Sequence, residues 1–381
     1  MIDESMLDTP DELLRADPHG LLRAVAAGGA HVRTAARSAE ESGLARISPE
    51  GRPGTLLVAG AGPEVPLVAG LLGALAGDGA RVTRLRPTGA LAAPGALTWP
   101  LPRWAGPLDL LLITSAEGTE PGLMLLLEAA HRRGCSVVTV APGGSPLADV
   151  TAQRRNLSLP FSPAPRQETT GHPAAPGPAW ALLTPLLLLG DRLGLFDAGP
   201  AAIQGLADRL DAVAERCGPS VRTHESTAKT LAAEFGATLP LLWAEGPIAR
   251  AAARHAVATL HALPGCPALT AALPEALTAH GALLHGTLGP GADPDDFFRD
   301  RVEEPSPLNA RVLLLRDRFP GADDGTASAV GAARDLAFEL GVAFSELPTV
   351  EGSAPLEIAG EFIAQLDFTA VYLALATGAR L

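Results

Sequence analysis

The chain has 381 residues, 47% of them hydrophobic and 19% charged, enough for two domains with real cores and too apolar for a disordered chain. A formal net charge of −13 repels polyanions and anionic lipid, so neither nucleic acid nor a membrane is an expected partner. Cys135, Cys217 and Cys266 stand far apart with no CxxC pair and no Cys/His cluster, which argues against a disulfide framework and against a zinc site.

The acidic start (Asp3, Glu4, Asp8, Asp11, Glu12) lacks the apolar run of a signal peptide, and a soluble, cytoplasmic protein is expected. Residues 9–45 read as helical, with Leu13, Leu14, Leu21, Leu22 and Val25 at helical spacing. A buried strand at Thr55–Ala59 leads into the turn Gly60-Ala61-Gly62, an apolar helix to about Gly77 and a strand near Arg81–Leu85. The run Leu108–Thr114 has the continuous apolar character of a strand buried on both faces. Thr119 can cap the helix it precedes, Glu120 suits its positive end and Pro121 its first turn. That helix ends in Arg132-Arg133-Gly134, and the strand Ser136–Ala141 completes a βαβ unit.

Residues 158–180 hold six prolines and read as loop, followed by a helical region from 180 to about 217. The apolar stretch Trp180–Gly190 is too short to cross a bilayer. The second half repeats the pattern: strand Leu239–Ala244, helix Pro247–His261, strand Arg311–Arg316, helix Thr326–Leu340, strand Val342–Leu347. A last helix from about Ser353 carries Leu356, Ala359, Ile363, Leu366, Ala370 and Leu373 as one core stripe. Lys229 is the single lysine, so any mechanism that needs a lysine has one candidate. His255 and His261 sit on an Ala-rich helix and read as surface or core histidines.

Hydroxyls and backbone N–H groups at a helix start suit an anion, and Thr114-Ser115-Ala116-Glu117-Gly118-Thr119-Glu120 has that form. The run TSAEGTEP, then HRRG and SVVTV, resembles SYSGNTEE, an R-G helix end and an apolar strand in the bifunctional phosphoglucose/phosphomannose isomerase family. Gly60-Ala61-Gly62-Pro63-Glu64 stands where that family has a GMGGS-like loop, and Pro165-Arg166 matches its Pro-Arg pair. LPLLWAEGPIARAA resembles the opening of its second sugar-isomerase (SIS) module, and Ala272–Gly281 its PELNHNE segment. Leu366–Gly378 resembles its C-terminal helix.

The resemblance implies two tandem SIS domains, flavodoxin-like three-layer αβα units with central parallel sheets, divided at 1–195 and 196–381. It implies binding of a small sugar phosphate and aldose–ketose isomerisation of glucose 6-phosphate and mannose 6-phosphate through a C1–C2 proton transfer. It also implies a homodimer, with no cofactor and no metal. Carried over position by position, it places phosphate binding on Gly60, Gly62, Thr114, Ser115, Thr119 and Arg166, and catalysis on Glu275 and His280. The sequence departs from the family at three roles. The base position falls on Ala262, the loop serines fall on Glu64 and Ala116, and Lys229 lies mid-chain rather than after the last helix. A non-catalytic phosphosugar sensor and a structural partner are therefore alternatives to an isomerase.

Overall fold

The computed structural model describes residues 4–44, 51–89, 94–162, 176, 178–286, 309–317, 328–350 and 352–379. The N-terminal part runs α1 (Glu4–Leu7), α2 (Pro10–Ala16), α3 (Leu21–Ala26), α4 (Gly28–Glu41), β1 (Thr55–Gly60), α5 (Val65–Ala76), β2 (Arg81–Arg84) and β3 (Asp109–Thr114). There follow α6 (Pro121–Arg132), β4 (Ser136–Ala141), α7 (Pro146–Gln153), β5 (Leu157–Pro160), α8 (Pro178–Arg192) and α9 (Pro200–Arg216). The remainder runs α10 (Thr227–Gly236), β6 (Leu239–Glu245), α11 (Pro247–Ala262), β7 (Leu269–Ala272), α12 (Glu275–His285), β8 (Ala310–Arg316), α13 (Val330–Glu339), β9 (Ala343–Glu346) and α14 (Pro355–Thr377).

Both sheets are wholly parallel, as the apolar runs implied. The first has the order β2-β1-β3-β4-β5 and the second β7-β6-β8-β9. The central strands β1 and β6 are buried along their whole length, which only a sheet covered on both faces allows. In the first sheet, Leu57, Leu111, Ile113 and Val137 pack under Leu123, Leu126 and Leu127 of α6. In the second, Leu241, Trp243, Val312 and Leu314 pack under α12 and α13 through Ala276, Leu284, Val330 and Ala333. Pro160, expected in a loop, ends the edge strand β5, where a missing N–H costs no ladder bond.

The chain divides into two compact units. One comprises Arg23–Ala212 and Ala354–Gly360 and carries the first sheet; the other comprises Met1–Leu22, Val213–Ser353 and Glu361–Leu381 and carries the second. The N-terminal helices up to Leu22 thus belong with the second sheet, although in sequence they adjoin the first.

Lys229 explains part of that attachment. Its side chain is fully buried on α10, and its Nζ donates to the carbonyl oxygens of Leu7 (2.6 Å), Pro219 (2.8 Å) and Val221 (2.6 Å). It lies 5.3 Å from the ring centre of Tyr372, whose hydroxyl donates to Cys217 O at 2.6 Å. Burial holds the ammonium pKa below the ordinary lysine value, with Asp8 opposing that shift. Asp8 itself accepts from the amide and hydroxyl of Thr223 at 2.7 and 2.9 Å. One cation therefore joins the N-terminal segment, the 219–221 turn and α14 within one unit.

Among the described residues, α14 is the one helix long and apolar enough to cross a membrane, and its apolar window is entirely buried in the fold. Its polar side chains have partners in the same unit. Glu361 pairs with Arg216 at 2.7 Å, and Asp367 with His255 of α11 at 2.7 Å. Burial alone would lower the His255 pKa, but the Asp367 carboxylate outweighs it and the net shift is upward.

Two outcomes follow. Lys229→Met should leave one buried and two part-buried carbonyls without their donor, at about 1–3 kcal/mol for the buried one and less for the others, and lower the urea midpoint. A variant as stable as the parent would refute the clamp. The raised His255 pKa gives stability that is complete below the ordinary imidazole value of 6.5 and declines as pH rises through the folded-state pKa. Urea midpoints across that window should fall with pH, and His255→Gln should flatten the slope.

Candidate functional site

In an open parallel sheet, ligands meet the C-terminal strand ends where the strand order reverses. In the first sheet that crevice lies between β1 and β3, and five of the six expected phosphate ligands are there: Gly60, Gly62, Thr114, Ser115 and Thr119. Arg166 lies outside the described residues.

Sequence chemistry explains the loop's shape. Gly60 pairs in register with Thr114, and a Cβ on Gly60 would collide with Thr114 and with Val65. Gly118 has φ of +71°, and a side chain there would strike Ser145, which caps α7. The loop 115–120 must therefore close tightly over the end of β3.

What fills the crevice is carboxylate. The buried Ser115 hydroxyl donates to Glu120, with both carboxylate oxygens at 2.8 Å. The same hydroxyl oxygen accepts the amides of Glu117 (3.1 Å) and Gly118 (2.6 Å). Thr114 turns its hydroxyl back to Ala59 O at 3.4 Å. The sequence allowed Thr119 as the helix cap; instead Glu120 is the N-cap residue of α6, and the exposed Thr119 directs its hydroxyl toward Glu117 at 3.5 Å. Glu64, at the start of α5, lays its carboxylate where a Cβ on Gly62 would stand. Its pKa is raised by burial and by the nearby Glu120 charge, against the pull of its own backbone N–H.

The second sheet reaches the same result by another route. Its crevice lies between β6 and β8. Glu245, the buried last residue of β6, accepts from Ser328 Oγ (2.8 Å) and Ala329 N (3.0 Å) at the start of α13. Asp317, just after β8, accepts from Ile248 N at 2.7 Å at the start of α11. Gly246, with φ of +108°, leaves room for that carboxylate. Each acid thus caps the helix that follows the neighbouring strand. The sequence signal for Glu245 is an acid before Gly-Pro at a strand end.

Glu275 and His280 both lie on α12 but do not converge. Five residues of helix turn their side chains about 140° apart. Glu275 is exposed in the first turn, where the helix dipole favours its charge. His280 is 6% exposed, and its Nδ1 accepts the indole N–H of the fully buried Trp243 at 2.8 Å. With Nδ1 accepting, the neutral ring carries its proton on Nε2. Burial also lowers the His280 pKa. Long-range 1H–15N spectra should therefore find a neutral Nε2–H imidazole at pH 6.5; an Nδ1–H tautomer, or half-protonation there, would contradict this assignment.

Residues 224–379 match the family model of the bacterial phospho-glucose isomerase C-terminal SIS domain. No curated protein matches the sequence. Among solved structures, a candidate phosphosugar isomerase from Silicibacter pomeroyi aligns at 18% identity and TM-score 0.59, over 94% of this chain and 97% of that one. The glucosamine-6-phosphate deaminase of Thermotoga maritima aligns at 12% identity and TM-score 0.55, over 95% of both chains. The C-terminal domain of glucosamine-fructose-6-phosphate aminotransferase from Francisella tularensis aligns at 11% identity and TM-score 0.53, over 95% and 97%. At these identities the likeness is one of fold. The match thus makes residues 224–379, which hold the second parallel sheet, a SIS domain related to the phosphoglucose isomerase family.

Proposed function

We propose that this chain is a non-catalytic SIS protein of phosphosugar-isomerase descent, which keeps the fold and has given up the aldose–ketose proton transfer. The observation that carries this is the engagement of its candidate acid–base groups. A general base needs an unoccupied lone pair within reach of the proton it removes. The His280 lone pair accepts Trp243, and Glu275 stands on a different side of the same helix. Ring opening assisted by lysine has no free amine, because all three Lys229 protons are held by carbonyls. The position equivalent to the family's base is Ala262.

A phosphosugar sensor is the second reading. It is favoured by the match to an isomerase SIS domain. Either role fits a cytoplasmic homodimer without cofactor.

Incubating concentrated protein with fructose 6-phosphate should produce neither glucose 6-phosphate nor mannose 6-phosphate. Turnover proportional to enzyme, and lost in His280→Ala or Glu275→Gln, would overturn the proposal. A rise in unfolding midpoint across a sugar-phosphate panel would select the sensor role, since a ligand of the folded state stabilises it.

A further inference from the structure

Parallel sheets aim the N-termini of their helices, with unpaired N–H groups and positive dipole ends, at one edge. Such an edge attracts an anion. Here an acid of the chain itself stands at the start of each of the four helices that flank the two crevices: Glu64 and Glu120 at the N-cap positions of α5 and α6, with no side-chain bond to either helix's amides, and Asp317 and Glu245 accepting amides at the starts of α11 and α13.

The donors are committed as well as the space. Ser115 gives its proton to Glu120 and takes two amides, so its hydroxyl has none left for a phosphate oxygen. The amides of Ile248 and Ala329 are used by Asp317 and Glu245. Gly62 and Gly246, whose missing side chains would let backbone approach a ligand, are approached by carboxylates.

From this we infer that these carboxylates are internal stand-ins for a bound anion, and that Glu64 and Glu120 are specificity-determining residues that exclude phosphate from the first crevice. An incoming dianion would displace a carboxylate from its hydroxyl and meet a second one beside it, both within a partly desolvated loop. The loops 60–64 and 114–120 are thereby held, without ligand, in a closed arrangement. The inference rests on the SIS reading above but is independent of turnover. Turnover with the Glu117 and Gly118 amides unmoved would sink the proposed function alone, and phosphate binding at this crevice without turnover would sink this inference alone.

The test uses the full chain and inorganic phosphate, with fructose 6-phosphate in parallel. In 1H–15N spectra of the wild type, millimolar phosphate should leave the Glu117 and Gly118 amides unmoved. The Glu64→Ser, Glu120→Ala double variant should bind phosphate at least about tenfold more tightly than the wild type, with the same two amides shifting. Glu120→Gln, which keeps side-chain volume and removes the charge, supplies the comparison if the double variant fails to fold, and should show a smaller gain of the same sign. Saturable shifts of those amides in the wild type would overturn the inference. So would a folded double variant, or a folded Glu120→Gln in its place, with no gain in affinity.

Discussion

A parallel sheet has a polarity, and the rest of this molecule answers to it. Every strand ends at one edge and every following helix begins there, so unpaired N–H donors accumulate in a small region. At the second sheet the chain meets that demand with acids, and at the first it sets acids beside it. In the first sheet the acids Glu64 and Glu120 hold the N-cap positions, and the Glu120 carboxylate takes the Ser115 hydroxyl rather than a helix amide. In the second they are exchanged between neighbouring strand–helix units, with Glu245 reaching the start of α13 and Asp317 the start of α11. The same device recurs away from any crevice, where Asp17 accepts the amides of Leu21 and Leu22 at 2.7 and 2.9 Å. Carboxylate capping thus recurs in the chain, and at the crevices carboxylates take the space of a ligand.

The other chemically capable groups are bound up in packing. Trp243 on β6 needs an acceptor for its buried N–H, and His280 supplies it. The carbonyls of Leu7, Pro219 and Val221 need donors, and Lys229 supplies three. The acids Glu361 and Asp367, carried on the buried helix α14, need cations, and Arg216 and His255 are placed for them. In each case a group that can do acid–base chemistry completes a hydrogen-bond requirement created by burial.

Much of the fold was legible because its signals are local. The strands at 109–114 and 136–141, with Pro121 and the Arg-Arg-Gly end between them, announce a βαβ unit within thirty-odd residues. Shorter elements such as α7, α10 and β7 carried too little periodicity to be separated from loop. The crevice itself was half legible. Its glycines and hydroxyls stood at recognisable places, and Glu64 stood where the resembled family has a serine. What the charges do was not visible, because Asp317 and Ile248 are 69 positions apart and Trp243 and His280 are 37. Contacts at that separation exist only once the sheet order is fixed.

The burial of Lys229 has a consequence outside folding. Arginine supplies every other basic side chain, so the folded protein presents no ε-amine to its surroundings. Lysine acetylation, ubiquitin conjugation at lysine and crosslinking through lysine all require such a group at the surface, and none can reach one here while the unit stays intact. An acylated lysine recovered from this chain would be a record that the clamp had opened.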